Sequence, residues 1–338
     1  MKLVTFKNNN VNRLGIYTNG KIYDSQAHNN ALPDNMLSLL NGGEASMDAM
    51  RKAELEINEG KTSIEGVIYS DAILQAPITN PTSCRDGYAF RQHVAAARRN
   101  RNVPMIAEFD EYPIFYFTNH NAIQGPGEIW CMPDHFQKLD FELEVAVVLG
   151  KKGRNIKAEK ADEYIAGYTI MNDMSARTLQ MEEMLLNLGP AKGKDFSTVI
   201  GPYMITPDEL QSYLIPAKNN HTGNNHNLAM KCWVNGVEVS SGNVGDMDWT
   251  FAEIIERCAY GVDVWPGDVI GSGTVGTGCF LELNGTGLLN DKTFQPQWLQ
   301  ANDVVEMEIT GLGKLTNTIK AVETDWSILA LKKAQQAI

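Results

Sequence analysis

The chain has no apolar run approaching the ~18 residues of a membrane span, and Met1 to Asn10 lacks the long apolar core of a signal peptide. It is therefore expected in the cytoplasm, with no membrane partner. Cysteine is scarce and scattered. Cys84, Cys131, Cys232, Cys258 and Cys279 are odd in number and never spaced CxxC, so nothing in the spacing indicates a disulfide framework or a thiolate zinc site. They read as reduced and mostly buried. Positive charge is also in short supply: 29 Lys+Arg stand against 41 Asp+Glu, a formal net charge of −12, which leaves no basic face for nucleic acid. An anionic small molecule is not excluded, because local Arg and Lys placement decides what a pocket binds. What the chain does have is apolar material. Of its 338 residues 43% are hydrophobic, enough for a proper core in one large domain or two and too much for intrinsic disorder.

Residues 1–26 alternate short apolar runs with turn residues, and Asn19-Gly20 between two such runs is a hairpin signal. Residues 33–60 carry helix formers, and the Pro-punctuated stretch Ile73 to Thr82 predicts a boundary near residue 80. This divides the chain into an N-terminal β-rich domain, 1–80, and a C-terminal domain, 81–338. In the second, strands are predicted at Leu143 to Leu149, Lys231 to Val239, Phe280 to Leu283 and Val304 to Ile309. Helices are predicted over Ala158 to Ile165, Ser175 to Leu188 and Trp249 to Ala259. Strands dominate, so the expected fold class is α+β, mainly β. The polar, charged segment Arg98 to Pro113 reads as a long mobile loop of the kind that forms lids.

Four clusters carry chemistry. In Phe141-Glu142-Leu143-Glu144-Val145 the strand period of two puts both carboxylates on one face, roughly 7 Å apart, and the continuation Ala146 to Leu149 is apolar on both faces. Acids beside such a core need a partner, and a hard divalent cation is one. Asn172 to Gln180 places Asp173 at the mouth of a predicted helix, with Arg177 and Gln180 three apart on one helix face. The nearby Gly193-Lys194-Asp195-Phe196 is not a phosphate loop, having three residues rather than four before its Gly-Lys and Asp in place of Ser/Thr. Asp86 to His93 supplies the one histidine that enters a helical pattern. Gly271 to Gly278 is a Gly-rich turn, followed by Glu282 in an otherwise apolar predicted strand, where it needs a buried partner.

Together, LDFELEVAVVLG, NDMSARTLQ, GKDF, GSGTVGTG and FLELNG, in this order, resemble the fumarylacetoacetate hydrolase family, strongly over 81–325 and more weakly over 1–80. The block DGYAFRQH is similar to its full-length members. The resemblance implies a small N-terminal SH3-like β-barrel followed by a mixed β-sandwich roll, in a homodimer. It implies that Asp86, Glu142, Glu144 and Asp173 surround a Mg²⁺ or Ca²⁺ ion, and that His93 is a general base oriented by Glu282. It further implies that Arg177, Gln180 and Lys194 line the oxyanion side, that Tyr88, Tyr116 and Thr274 touch substrate oxygens, and that Lys194 and Thr198 lie near a second, structural cation. Two positions depart from the pattern: Met184 stands where those members carry Tyr, and the loop after His93 is rearranged, leaving Arg98, Arg99 and Arg101 as candidates for the substrate arginine.

The implied partner is a small diketo dicarboxylic acid. Its two carbonyls would be polarised by the cation while His93 takes a proton from water, and the carbanion leaves as an enolate. The expected reaction is hydrolysis of a carbon–carbon bond, most simply fumarylacetoacetate to fumarate and acetoacetate in aromatic amino-acid breakdown. Acylpyruvate hydrolysis, 2-oxo acid decarboxylation or hydration on the same fold are the alternatives, along with a non-catalytic protein stabilised by Ca²⁺.

Overall fold

A computed structural model describes residues 1–333, so the last five residues of the expected 81–338 unit lie outside the described residues. The N-terminal segment forms β1 (Lys2–Asn8), β2 (Val11–Thr18) and β3 (Lys21–Asp24), then helix α1 (Gly43–Asn58) and β4 (Ile73–Gln75). The turn between β2 and β3 is the predicted Asn19-Gly20, with φ of 50° and 76°, the left-handed pair that a two-residue hairpin requires. Next come β5 (Cys84–Gly87), helix α2 (Arg91–Asn100), β6 (Phe115–Thr118) and β7 (Gly127–Cys131). Then follow β8 (Leu143–Leu149), β9 (Ile165–Asp173), helix α3 (Arg177–Met184) and β10 (Thr198–Ile205). The chain continues through β11 (Ala229–Val234), β12 (Val237–Asn243), helix α4 (Phe251–Ala259), β13 (Val269–Gly271), helix α5 (Phe280–Asn290), β14 (Val304–Ile309) and β15 (Gly313–Ala321).

Two sheets result. A 12-stranded mixed sheet has nine strands in the order β3-β2-β1-β10-β9-β8-β13-β5-β6, with β4 on β1 and the short strands Val67–Ile68 on β3 and Ile123–Gln124 on β10, and a 5-stranded sheet runs β12-β11-β14-β15-β7. The α+β, sheet-rich class is as expected. A separate SH3-like barrel is not found: no closed barrel forms among the described residues, because β1 pairs with β10 (Lys2 opposite Ile205, Leu3 opposite Met204) and carries its hairpin partners into the large sheet.

The central strand β8 explains the apolar run read from the sequence. Leu143, Val145, Val147 and Leu149 pack into the core shared with the 5-stranded sheet, whereas Ala146 and Val148 face the N-terminal helices, beside Met47 and Met50 of α1. Both faces are dry, so the strand has no alternation to show.

Several boundaries differ from expectation. Lys231 to Val239 is two strands, because Asn235-Gly236 (φ 53° and 77°) repeats the hairpin signal of residues 19–20. The helix predicted from Ser175 starts at Arg177, since Ser175 and Ala176 pair with Leu139 and Asp140. The helix at Ala158 lasts one turn and continues as a 3₁₀ turn. Trp249 precedes α4, whose first turn is closed by a Thr250–Glu253 capping box. Arg98 to Asn100 belong to α2, and Ala107–Asp110 forms a 3₁₀ turn, so the expected loop is shorter than 98–113. The largest error is at Phe280 to Leu283, which is helical. A four-residue apolar run fits either state, and the deciding contact comes from far away: the Asp140 carboxylate accepts the Phe280 and Leu281 N–H groups at 2.8 and 2.9 Å.

Leu3 is fully buried where β1 meets β10. Leu3→Ala should lower unfolding free energy by about 2–5 kcal/mol in urea titration. The transition should stay single when followed by circular dichroism, because the N-terminal strands share the main sheet. Separate loss of an N-terminal unit would contradict this.

Candidate active site

The site lies at one end of one face of the large sheet. Cys84, Met171, Ala146 and Val148 all face the N-terminal helices. By the period of two, Asp86, Asp173 and Glu144 share that face, one or two pleats further on. Strand direction completes the grouping: β8 enters at this end while β9, β13 and β5 leave from it, with Ala146 opposite Gly271 and Gly271 opposite Asp86. Carboxylate oxygens of Asp86, Glu142, Glu144 and Asp173 all lie within 4.8 Å of one another, and all four residues are buried. Gly271 is the floor. A Cβ there would stand 2.4 Å from Asp86 Oδ1 and 2.9 Å from Glu144 Oε2, so only glycine admits both acids.

Two cations hold part of this charge. The Lys194 ammonium donates to Glu142 and, at 2.8 Å, to Asp173 Oδ2. Arg177 donates from Nη2 to Glu142 Oε1 at 2.8 Å, from Nε to Asp140 Oδ2 at 2.8 Å and from Nη1 to Gln180 Oε1 at 3.0 Å. Burial alone would raise the Glu142 carboxyl, but Lys194 and then Arg177 outweigh it and hold it at about 2. The other three go the opposite way. Burial and the Asp173 charge push Asp86 up to about 7, burial with Asp86 and Glu142 pushes Glu144 well above the usual carboxylate range, and burial raises Asp173 despite Lys194.

The set is short of positive charge, and Glu144 Oε2 and Asp173 Oδ1 are buried without a hydrogen-bond partner. Hard oxygen donors, two of them orphaned, around a deficit of cation fit a divalent metal ion.

The base candidate approaches from above. His93, on α2, bonds through Nδ1 to Glu282 Oε2 on α5 at 2.7 Å, and both residues are buried. The two helices come close enough because Gly285 lies against Asn100, whose Nδ2 donates to the Glu282 carbonyl at 3.0 Å. The N–H of Arg91 at the start of α2 is held by Asp248 at 2.9 Å. Tyr88 stands edge-on to the His93 ring at 6.0 Å, Tyr116 donates its hydroxyl to Asp173 Oδ2, and Thr274 Oγ1 is 3.5 Å from Glu144 Oε1. Tyr116 and Thr274 thus bond to the acids themselves. Arg98 is half-buried and Arg99 and Arg101 exposed, donating respectively to the Pro104 carbonyl, Thr286 and the Ala97 carbonyl. Thr198 lies 3.3 Å from Thr118 through their hydroxyls, and exposed Met184 ends α3.

Residues 82–320 match the family described as fumarylacetoacetate (FAA) hydrolase C-terminal. The chain belongs to the fumarylacetoacetate hydrolase family. A mitochondrial oxaloacetate tautomerase of Xenopus laevis is 32% identical over 332 residues, covering 94% of this chain and 90% of the relative. A human mitochondrial oxaloacetate tautomerase is 31% identical over 332 residues, 94% of this chain and 91% of its own. Among solved structures, the fumarylacetoacetate hydrolase of Exiguobacterium antarcticum has the same fold (TM-score 0.66, 24% identity, 95% of this chain and all of that one). So does the maleylpyruvate hydrolase of Sphingobium sp. SYK-6, solved with manganese(II) and pyruvate (TM-score 0.68, 19% identity, 95% and 99% covered).

Asp140 was not singled out from the sequence. It is fully buried, and its two oxygens take Arg177 Nε and the N–H groups of Phe141, Phe280 and Leu281. The signal was present: the period-two acids begin at Asp140, not Glu142.

The folded protein retains the Asp86 proton up to about 7, far above its ordinary value of 3.8. That stabilisation is present below pH 3.8 and is lost as pH rises through 7. Metal-free protein should therefore fall in Tm between about pH 4 and 7, and Mg²⁺ or Mn²⁺ should restore Tm more strongly at pH 8 than at pH 6, because metal displaces protons. Gly271→Ala should abolish the metal-induced rise in a thermal-shift titration. An unchanged rise would rule out this cradle as the metal site.

Proposed function

We propose that this family member catalyses metal-assisted proton transfer at the carbon between the two carbonyl groups of a 2-oxo dicarboxylic acid, with keto–enol tautomerisation of oxaloacetate as its reaction. The observation that carries the reading is the His93–Glu282 pair at 2.7 Å beside the carboxylate cluster, in a chain 94% of which is similar to proteins named oxaloacetate tautomerases. Asp86, Glu142, Glu144 and Asp173 would hold the divalent ion, Mg²⁺ by its preference for carboxylate oxygens or otherwise Ca²⁺. When bound, it supplies Lewis-acid polarisation of the keto group.

The chain's own residues do the rest. Glu282 fixes the His93 ring through Nδ1, leaving its other nitrogen to take a proton from the carbon beside the keto group. The electron pair left on carbon closes a carbon–carbon double bond, and the former keto oxygen collects a proton to give the enol. Returning the proton to carbon reverses the reaction, so no water or co-reactant is consumed. Lys194 and Gln180 are assigned to the oxygen on which negative charge develops. Gln180 has its carbonyl end held by Arg177, which leaves its amide N–H₂ as donor. Tyr88 and one of Arg98, Arg99 and Arg101 would meet the far carboxylate.

Hydrolysis of a fumarylacetoacetate-type carbon–carbon bond is the second reading. It is favoured by the same pair, because a His–Glu base equally takes a proton from water. The N-terminal segment does not separate the two, since the tautomerase relatives match over 94% of this chain.

Loss of enol absorbance from freshly dissolved oxaloacetate, with acylpyruvates and fumarylacetoacetate in parallel, decides between them. His93→Ala should lower tautomerase kcat by about 10²–10⁴-fold with Tm nearly unchanged. Glu282→Gln should do part of that damage, and the double variant should be little worse than His93→Ala alone. Full activity in His93→Ala would remove the pair from the mechanism. Release of acetoacetate from fumarylacetoacetate with no effect on oxaloacetate would establish the second reading.

A homodimer belongs to the same proposal, supported by Leu185, Leu186 and Leu188, which stand 81%, 80% and 85% exposed beyond α3. Sedimentation should give twice the chain mass, and Leu186→Glu should shift it toward monomer.

A further inference from the structure

We propose that His93, Glu142 and Cys279 form a second metal site, selective for borderline-soft divalent ions such as Zn²⁺, whose occupation arrests the enzyme. One ligand atom from each of the three lies within 4.8 Å of the other two, and Cys279 is fully buried, His93 7% and Glu142 5% exposed. Tetrahedral zinc, with bonds of about 2.0–2.3 Å, holds its donors roughly 3.5 Å apart, so side-chain movements of about an ångström suffice.

The donor chemistry separates this set from the neighbouring one. Asp86, Glu142, Glu144 and Asp173 offer only oxygen, which suits hard cations. Imidazole, thiolate and carboxylate together are the nitrogen, sulfur and oxygen set that selects zinc-like ions. The two sets share Glu142 and nothing else. His93 is also prepared for coordination. A metal-binding imidazole is ordinarily oriented by a carboxylate on its other nitrogen, and Glu282 occupies that place on Nδ1. Cys279 immediately precedes α5, and Glu282 lies in the first turn of that helix, so the thiol and the orienting carboxylate come from one rigid element.

Cys279 has no part in the proton transfer described above, which gives the thiol no other assigned use. The remaining cysteines, Cys84, Cys131, Cys232 and Cys258, are buried outside any such three-ligand group among the described residues. Binding is balanced simply: the thiol proton leaves to solvent, the sulfur, the free imidazole nitrogen and a Glu142 oxygen bond the ion, and a fourth position stays open to water. Arrest of turnover rests on the reading of His93 as the base. The site itself does not.

The test uses full-length, Mg²⁺-loaded enzyme. Adding Co²⁺ as a coloured stand-in should produce a near-ultraviolet thiolate-to-cobalt charge-transfer band that is absent in Cys279→Ser. Cys279→Ser should keep Mg²⁺-supported turnover while its sensitivity to Zn²⁺ inhibition falls on the order of tenfold or more. X-ray absorption of the Zn²⁺-loaded natural protein should show one sulfur at about 2.3 Å, whether or not the variant folds. No cobalt band, a band that persists in Cys279→Ser, or zinc with oxygen and nitrogen neighbours only would each overturn the site. Equal Zn²⁺ sensitivity of the two proteins would do so too, placing the inhibitory ion among the carboxylates. If oxaloacetate is not the substrate, the band and the sulfur distance remain, so the two proposals fail separately.

Discussion

Mutual repulsion among four buried carboxylates is the constraint around which this structure is arranged. Left alone in a dry pocket, such groups would protonate or open the sheet, because unpaired buried charge is among the most destabilising features a fold can carry. Lys194 and Arg177 relieve it unevenly. Both converge on Glu142, which is consequently the most acidic of the set, while Asp86 and Glu144 are left with each other and with Asp173. The unevenness is what suits the pocket to a metal ion. A fully neutralised cluster would have no affinity left for a cation, and an unrelieved one would hold protons in its place.

Asp140 converts that local balance into geometry. Its carboxylate lies at the joint of three elements: the strand segment leading to Glu142, the base of α3 through Arg177, and the start of α5 through Phe280 and Leu281. The same acid that helps orient the guanidinium on Glu142 therefore also sets the direction of the helix carrying Glu282. Charge placed at a helix N-terminus is favourable for the helix as well. The carboxylate cluster and the His93–Glu282 pair are consequently one construction, not two sites that happen to be near.

The features legible in the sequence were those whose signal is local. Glu142 and Glu144 could be paired from strand period alone, and the apolar run to Leu149 ends where Gly150 interrupts it. The meeting of Asp86, Asp173 and Lys194 with them could not be derived that way. Sheet order, with β13 and β5 parallel and β8 antiparallel to both, is a property of distant pairings, and only resemblance to a family anticipated it. Glu282 was read on a strand because Phe280 to Leu283 is too short to have a period, and its helical cap lies 140 residues earlier in sequence. The N-terminal barrel failed for a related reason. Hairpins are written in turns, whereas whether they close on themselves or join a neighbour depends on an edge, here that of β10, which no local pattern reveals.

Proteins of this family carry names of more than one reaction, among them oxaloacetate tautomerase and fumarylacetoacetate hydrolase. Enolisation and hydrolytic cleavage of a 1,3-dicarbonyl acid share their difficult part, negative charge delocalised over a carbon and two carbonyl oxygens, and a polarising ion in an oxygen cradle meets that need in either case. They differ in where a base finds its proton, on the substrate's own carbon or on a water held against a carbonyl, and only the second adds that water and breaks a carbon–carbon bond. His93 is positioned by Glu282 and by the packing of α2 on α5, so a change on the α2 side of that pair would re-aim the proposed base, whereas the α5 side stays tied through Asp140 and Arg177 to the carboxylates. On the proposed reading, specificity resides in the layer where α2 and the segment after it lie; the rearranged loop after His93 falls there, whereas Met184, the other departure, ends α3.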